Sequence, residues 1–282
     1  MHANLEVVNG VQKLLQDCSH SQEAGPAMAL LKVLLLLLGL GVAVSSVSLQ
    51  KRVIGGQNCR DDERQYHVTV FRHSSTAATI CGGSLISDQW VLTAAHCWQH
   101  APGWFHGLLV AGHPRKGPQK PFTITQREVY KDSDGREHDI MLLRLSAKTT
   151  VQPIKLPDCP DTLPLGTKVQ IAGYLARQDA AKGGSAKDPN DLQCAEFKIA
   201  EHETMEKMLA KDENFRFSYQ KWYSVRSSKK DLTRDDSGGG CVFNNRLYGV
   251  YVYTGESEKT LDGQSVFLDV CAYKQWIEDT IK

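Results

Sequence analysis

The sequence contains no Asn-x-Ser/Thr sequon and no Cys-x-x-Cys pair, and neither charge is in surplus. Without the sequon, N-linked glycosylation is not expected. Without the cysteine pair, the usual ligand spacing of a zinc cluster is missing. With 33 Lys and Arg against 32 Asp and Glu, the net charge is +1, so nothing attracts nucleic acid or an anionic membrane as a main partner. Long apolar runs are scarce too. The strongest, Val33 to Val44, has twelve residues, short of the roughly 20 that a bilayer-spanning helix needs.

That run is nevertheless informative. Lys32 precedes it, and Ala43, Ser45, Ser46 and Ser48 close it, which is the charge, apolar core and small-residue order of a secretory signal peptide. Residues 28–48 are therefore expected to direct export, with no stable membrane insertion. Residues 1–27 add no recognisable element, and Met28 is the expected translation start. A membrane anchor is the competing reading of the same segment. Export to an oxidising compartment fits the cysteines, Cys18, Cys59, Cys81, Cys97, Cys159, Cys194, Cys241 and Cys271, as disulfide partners. Cys18 lies ahead of the signal, so an odd number remains in the exported part.

After the signal come short apolar runs broken by turn residues: "YHVTVF", "WVLTAA", "GLLVAG", "IMLLRL", "KVQIAGY", "RLYGVYVY" and "SVFLDV". Runs of this length and spacing predict an all-β barrel or sandwich. The final "CAYKQWIEDTIK" sets Tyr273, Trp276, Ile277 and Ile281 at helical spacing, which predicts one terminal helix packed on the β-domain. Residues 177–191, "RQDAAKGGSAKDPND", read as a long flexible loop.

Three segments carry chemistry. "LTAAHC" puts His96 after a strand, "HDIMLL" puts Asp139 at the mouth of another, and "TRDDSGGGC" puts Ser237 before three glycines. Each is ambiguous alone, since Asp, Ser and Gly dominate ordinary turns and a lone histidine is usually packed or solvated. Together they follow the order His, Asp, Ser, one of the few in which a nucleophilic triad occurs. "KR" before "VIGG" adds a basic cleavage site ahead of an apolar new amino terminus.

With these motifs, Val53 to Lys282 resembles the trypsin-like (chymotrypsin-fold) serine proteases: "VIGG", "CGGSLIS", "WVLTAAHC", "HDIMLLRL", "DDSGG", "LYGV" and the Trp276-Ile277 helix all match. The resemblance implies two six-stranded antiparallel β-barrels with the active site between them and a C-terminal helix. It implies His96 as general base and acid, Asp139 as its orienting carboxylate and Ser237 as nucleophile, with an oxyanion hole at Asp235 and Ser237. Residues 49–52 become a short activation peptide, and cleavage after Arg52 frees the Val53 ammonium to pair with Asp236, so the precursor is an inactive zymogen. Implied disulfides are Cys59 with Cys194, Cys81 with Cys97 and Cys159 with Cys271, leaving Cys241 as a buried small hydrophobe. Implied partners are protein or peptide substrates and protein protease inhibitors. No cofactor or metal is expected. "AGHPRKGPQKPF" lacks the acidic ligands of the family's calcium loop, and "DSDG" at Asp132 reads as a turn.

Departures from the pattern matter as much. Asp235 stands where the family has a glycine whose N–H helps bind the oxyanion, and losing such a donor costs about 3 kcal/mol, roughly a hundredfold in rate. Gly240 replaces a proline, and Val252 replaces a serine whose hydroxyl supports the triad aspartate. The specificity pocket is mixed. Asp231 matches the floor carboxylate that selects Arg or Lys, while Leu232, Val252, Tyr253, Thr254 and Ser265 form its expected walls, and Thr254 and Ser265 narrow it toward small residues. The basic stretch Lys221, Arg226, Lys229 and Lys230 reads as a solvated loop. Two readings result: a secreted serine endopeptidase of weakened activity, or a pseudoprotease that binds partners and has lost turnover.

Overall fold

A computed structural model describes residues 57–98, 102–110, 113, 121–159, 163–173, 192–201, 219–227, 232, 234–252 and 264–282. All of them belong to the second of the chain's two compact units, Lys51–Lys282. The signal and activation segments, most of the "AGHPRKGPQKPF" segment, the loop 177–191, and Asp231, Tyr253, Thr254, Lys229 and Lys230 lie outside the described residues.

The first sheet has six antiparallel strands in the order β5-β2-β3-β4-β7-β6. They are β2 (His67–His73), β3 (Ala78–Leu85), β4 (Trp90–Thr93), β5 (Phe105–Val110), β6 (Ile124–Lys131) and β7 (Glu137–Leu145). Paired hydrogen bonds between Leu108 and Phe122, 3.1 and 2.8 Å, join the β5 edge to the approach of β6 and close the barrel. Closure leaves no bare edge. Inside lie Val68 and Val70 of β2, Leu108 of β5 and Met141, Leu143 and Leu145 of β7. These are the alternate residues that a pleated strand sends to one face.

The second sheet is closed by β8–β9 pairing and has the order β1-β9-β10-β13-β12-β11-β8. Its strands are β1 (Gln57–Asn58), β8 (Lys168–Gly173), β9 (Gln193–Ala200), β10 (Trp222–Arg226), β11 (Gly240–Phe243), β12 (Arg246–Tyr251) and β13 (Gln264–Asp269). It carries seven strands where six were expected, because the two-residue β1 pairs along β9. A strand that short leaves no alternation to read.

A second apolar layer lies between the sheets, where Leu92, Ile140 and Leu142 of the first meet Val250, Val252 and Leu268 of the second. Strand β7 thus buries both faces, Ile140 and Leu142 toward this layer and Met141 and Leu143 toward its own barrel, which is why "IMLL" reads as an unbroken apolar run. The helix α1 (Val270–Thr280) packs on the same layer through Val270, Tyr273 and Ile277. The Asp269 carboxylate caps it by accepting from Cys271 N–H at 2.9 Å, worth about 1 kcal/mol.

Disulfides join Cys59 to Cys194, Cys81 to Cys97 and Cys159 to Cys271, the same pairs that the resemblance implies. Closing a loop like the 16-residue one between Cys81 and Cys97 stabilises by about 3 kcal/mol in the chain-entropy account. Cys241 is free and fully buried on β11. Burial pushes its thiol up to about 12, so it packs as a small hydrophobe and not as a reactive thiol.

Candidate active site

His96 sits in a 3₁₀ turn, Ala95–Cys97, directly after β4. Asp139 lies in β7, which pairs with β4, so sheet pairing alone brings the two together. The Asp139 carboxylate accepts twice from one residue: His96 backbone N–H at 2.7 Å on Oδ1, and Nδ1 of the ring at 2.8 Å on Oδ2. A buried carboxylate can only accept, so this clamp places the ring proton on Nδ1 and leaves Nε2 as the basic atom. Asp139 is 2% exposed, and solvent does not compete for it. Its own N–H donates to Oε1 of the buried Gln220 at 2.7 Å. Sequence reading missed Gln220, which carries no motif or periodicity. Val252, the residue in place of the family serine, packs in the apolar layer.

Ser237 follows a second 3₁₀ turn, Arg234–Asp236, and is 0% exposed. Its N–H donates to the Arg234 carbonyl at 3.2 Å. An oxyanion hole using the N–H of Ser237 therefore has to release this bond first, which sequence motifs do not reveal. Around the serine the sheets meet backbone to backbone. Gly82 N–H donates to the Ser237 carbonyl at 2.7 Å, and Gly238 N–H donates to the Tyr251 carbonyl at 2.7 Å. Gly238 has φ of 84°, and a Cβ there would collide with Gly82 O and Thr93 Oγ1. A Cβ on Gly82 would lie 2.8 Å from Gly239 Cα. "CGGS" and "DSGGG" are thus one packing requirement seen from both sheets. A Cβ at Gly240 would come within 2.7 Å of both Leu247 Cδ1 and Ser84 Oγ, so a larger residue there requires these side chains to move.

Asp236 is 2% exposed, and its carboxylate lies so close to Gly173 that a Cβ there would strike Oδ1. Leu232 packs with Val225, Tyr251 and Phe267 in the interior of the second barrel. Ser265 is buried opposite Val225 in the β10–β13 register. Leu232 and Val252 thus belong to core clusters. Lys221 and Arg226 are exposed, as expected of a solvated face. Asp132 binds its own turn, accepting from Asp134 N–H at 3.0 Å and Arg136 N–H at 2.9 Å.

His96 also lines a cavity of about 190 Å³. Its walls include Arg72, Thr79, Ile80, Arg234, Asp235 and the Cys81–Cys97 disulfide. His96 Nε2 lies 3.9 Å from Cys97 Sγ, along this wall.

Two closed antiparallel barrels, a terminal helix, a carboxylate-clamped histidine and a glycine-framed serine are the architecture of a serine endopeptidase. Residues 53–277 match the family described as Trypsin, and the chain belongs to that family. Human Kallikrein-2 is 27% identical over 265 residues, covering 88% of this chain and 97% of its own length. Mouse Kallikrein-11 is 28% identical over 275 residues, covering 92% and 93%. Among solved structures, the scabies mite inactivated protease paralogue S-I1 superposes with a TM-score of 0.64 at 23% identity, covering 80% of this chain and 98% of its own. Neuropsin, a serine protease expressed in the limbic system of mouse brain, gives 0.60 at 24%, covering 81% and 99%. These two likenesses concern the fold. Among the described residues no helix is long and apolar enough to cross a membrane.

Proposed function

We propose that this serine endopeptidase is made as a secreted zymogen, exported by the signal at 28–48 and activated by cleavage after Arg52. The observation that carries the reading is the double clamp of Asp139 on His96. With Nδ1 protonated and held, Nε2 takes the Ser237 proton as Oγ attacks the scissile carbonyl. It then gives that proton to the leaving amine, and water repeats the cycle on the acyl-enzyme. Asp139 stabilises the imidazolium in between. The N–H groups of Ser237 and Asp235 hold the oxyanion once the Arg234–Asp236 turn opens. Buried Asp236 is a fitting partner for the Val53 ammonium, because a buried carboxylate needs a cation or several donors. Asp231 favours substrates with Arg or Lys at the cleaved bond, and protein protease inhibitors would occupy the same cleft.

A second reading, a pseudoprotease acting as a secreted binding module, is favoured by the bond from Ser237 N–H to the Arg234 carbonyl. One experiment separates the two: fluorophosphonate labelling of the exported protein before and after cleavage at Arg52, with Ser237→Ala as control. Labelling confined to the cleaved form supports the zymogen. A folded, cleaved protein that never labels leaves the binding module.

A further inference from the structure

We propose that Tyr273 of the terminal helix and His138 of β7 are positioning residues of the triad, tying the Asp139 carboxylate to α1 through a directed series of hydrogen bonds. This rests on the roles of His96, Asp139 and Ser237 proposed above. His138 directly precedes Asp139, and strand alternation sends its side chain to the face of Ile140 and Leu142, toward the helix. There Nδ1 of the buried imidazole meets the Tyr273 hydroxyl at 2.8 Å, and Nε2 meets Asp132 Oδ2 at 3.4 Å. Tyr130, Tyr219 and Tyr273 house the ring edge-to-face, with centroids at 4.8, 5.0 and 5.5 Å, so it has little room to turn.

The direction of these bonds is set at the outer end. Against the cost of burial, hydrogen bonds from Arg136 N–H at 2.9 Å and Arg136 Nε at 2.8 Å help to hold the Asp132 carboxyl down to about 2. An ionised carboxylate can only accept, so His138 donates from Nε2, presents Nδ1 as an acceptor and takes the Tyr273 O–H on it. The tyrosine oxygen in turn accepts from the backbone N–H of Lys221. The Lys221 carbonyl accepts from Asp269 N–H at 2.9 Å, so α1 and its cap hold both backbone polar groups of Lys221. Lys221 follows Gln220, whose side chain accepts from Asp139 N–H at 2.7 Å. Two ties on Asp139 therefore end on the same helix, one through Gln220 and Lys221 and the other through His138 and Tyr273. Neither His138 nor Tyr273 touches the reacting atoms. They fix the strand position from which Asp139 makes its two bonds to His96.

The test uses the exported chain cleaved at Arg52, in native form for hydrolysis of one peptide and in Ser237→Ala form for proton NMR of the His96 Nδ1–H. Melting curves establish that each variant is folded at the assay temperature. Tyr273→Phe keeps the ring and removes only the hydroxyl. We expect kcat to fall about tenfold, the scale of one buried hydrogen bond, with KM nearly constant, and the His96 Nδ1 proton resonance to move upfield as its bond to Asp139 lengthens. His138→Leu should do the same, and the double variant should be no worse than either alone, because both break one series of bonds. His138→Asn, whose amide can donate to Asp132 and accept from Tyr273, should retain most of the native kcat. A native kcat with an unmoved resonance in Tyr273→Phe, additive losses in the double variant, or His138→Asn as damaged as His138→Leu would each overturn the proposal. If the cleaved native protein never labels with fluorophosphonate, the catalytic reading falls, while the His96 resonance in the Ser237→Ala form still decides whether Tyr273 holds the carboxylate in place.

Discussion

Gln220 Oε1 accepts from Asp139 N–H at 2.7 Å, and this bond fixes the strand position from which the carboxylate clamps His96. The family's serine hydroxyl is replaced by Val252, which lies in the apolar layer, so support for Asp139 comes through its backbone. Gln220→Leu removes the acceptor and leaves a buried N–H unsatisfied, at a cost of about 1–3 kcal/mol. We expect kcat of the cleaved enzyme to fall about tenfold with KM nearly constant, because the loss is in orientation and not in binding. Steady-state kinetics on one peptide checks this, and a KM change without a kcat change would count against it.

Asp235→Gly should raise activity by roughly a hundredfold, the value of one oxyanion donor. Glycine lets the peptide between residues 234 and 235 turn over at little cost, which frees Ser237 N–H from the Arg234 carbonyl it binds at 3.2 Å. The rate of fluorophosphonate labelling is the readout. An unchanged rate would place the limit elsewhere in the site.

Gly173→Ala drives a methyl into Asp236 Oδ1. Either β8 shifts or the carboxylate leaves its buried position. We expect a loss of about 1–3 kcal/mol in stability and near-complete loss of labelling after cleavage at Arg52. Thermal melting and labelling on the same sample test both parts, and a variant that labels normally would falsify the role given to Asp236.

His67 is buried on β2, and burial, with the charges of His113 and Arg64, depresses its pKa to about 3. The unfolded chain takes up a proton below about 6.5 that the folded chain refuses. The stability contributed by neutral His67 is therefore present above about pH 6.5 and is lost as pH falls toward 3, at up to about 1.4 kcal/mol per unit. Melting temperatures between pH 7 and 4 should fall steadily in the native chain and less steeply in His67→Gln.

Much of this molecule was legible because its chemistry is local. "TAAHC", "HDIMLL" and "DDSGGG" each place one residue at the end of a strand or turn, and alternation in strands such as β2 sets the barrel interior. What escaped is long-range. Gln220 meets Asp139 across 81 positions, with no periodic signal at either end. Arg72 and Arg234 share a cavity only because two barrels close first. Asp235 could be flagged as a departure, but the bond joining Ser237 to Arg234 depends on a backbone torsion that residue identity does not report. Leu232 and Val252, expected pocket walls by their place in a motif, also belong to apolar clusters, which a motif does not report.

Asp139 rides on a strand gripped on one side by its own barrel and on the other by the layer shared with the second sheet. Loosening either grip would move the carboxylate by more than a hydrogen bond tolerates. The histidine's tether therefore acts as a mechanical fuse: heat or a destabilising substitution in either half should extinguish activity before spectroscopy registers unfolding, and no half-open intermediate should remain a working enzyme.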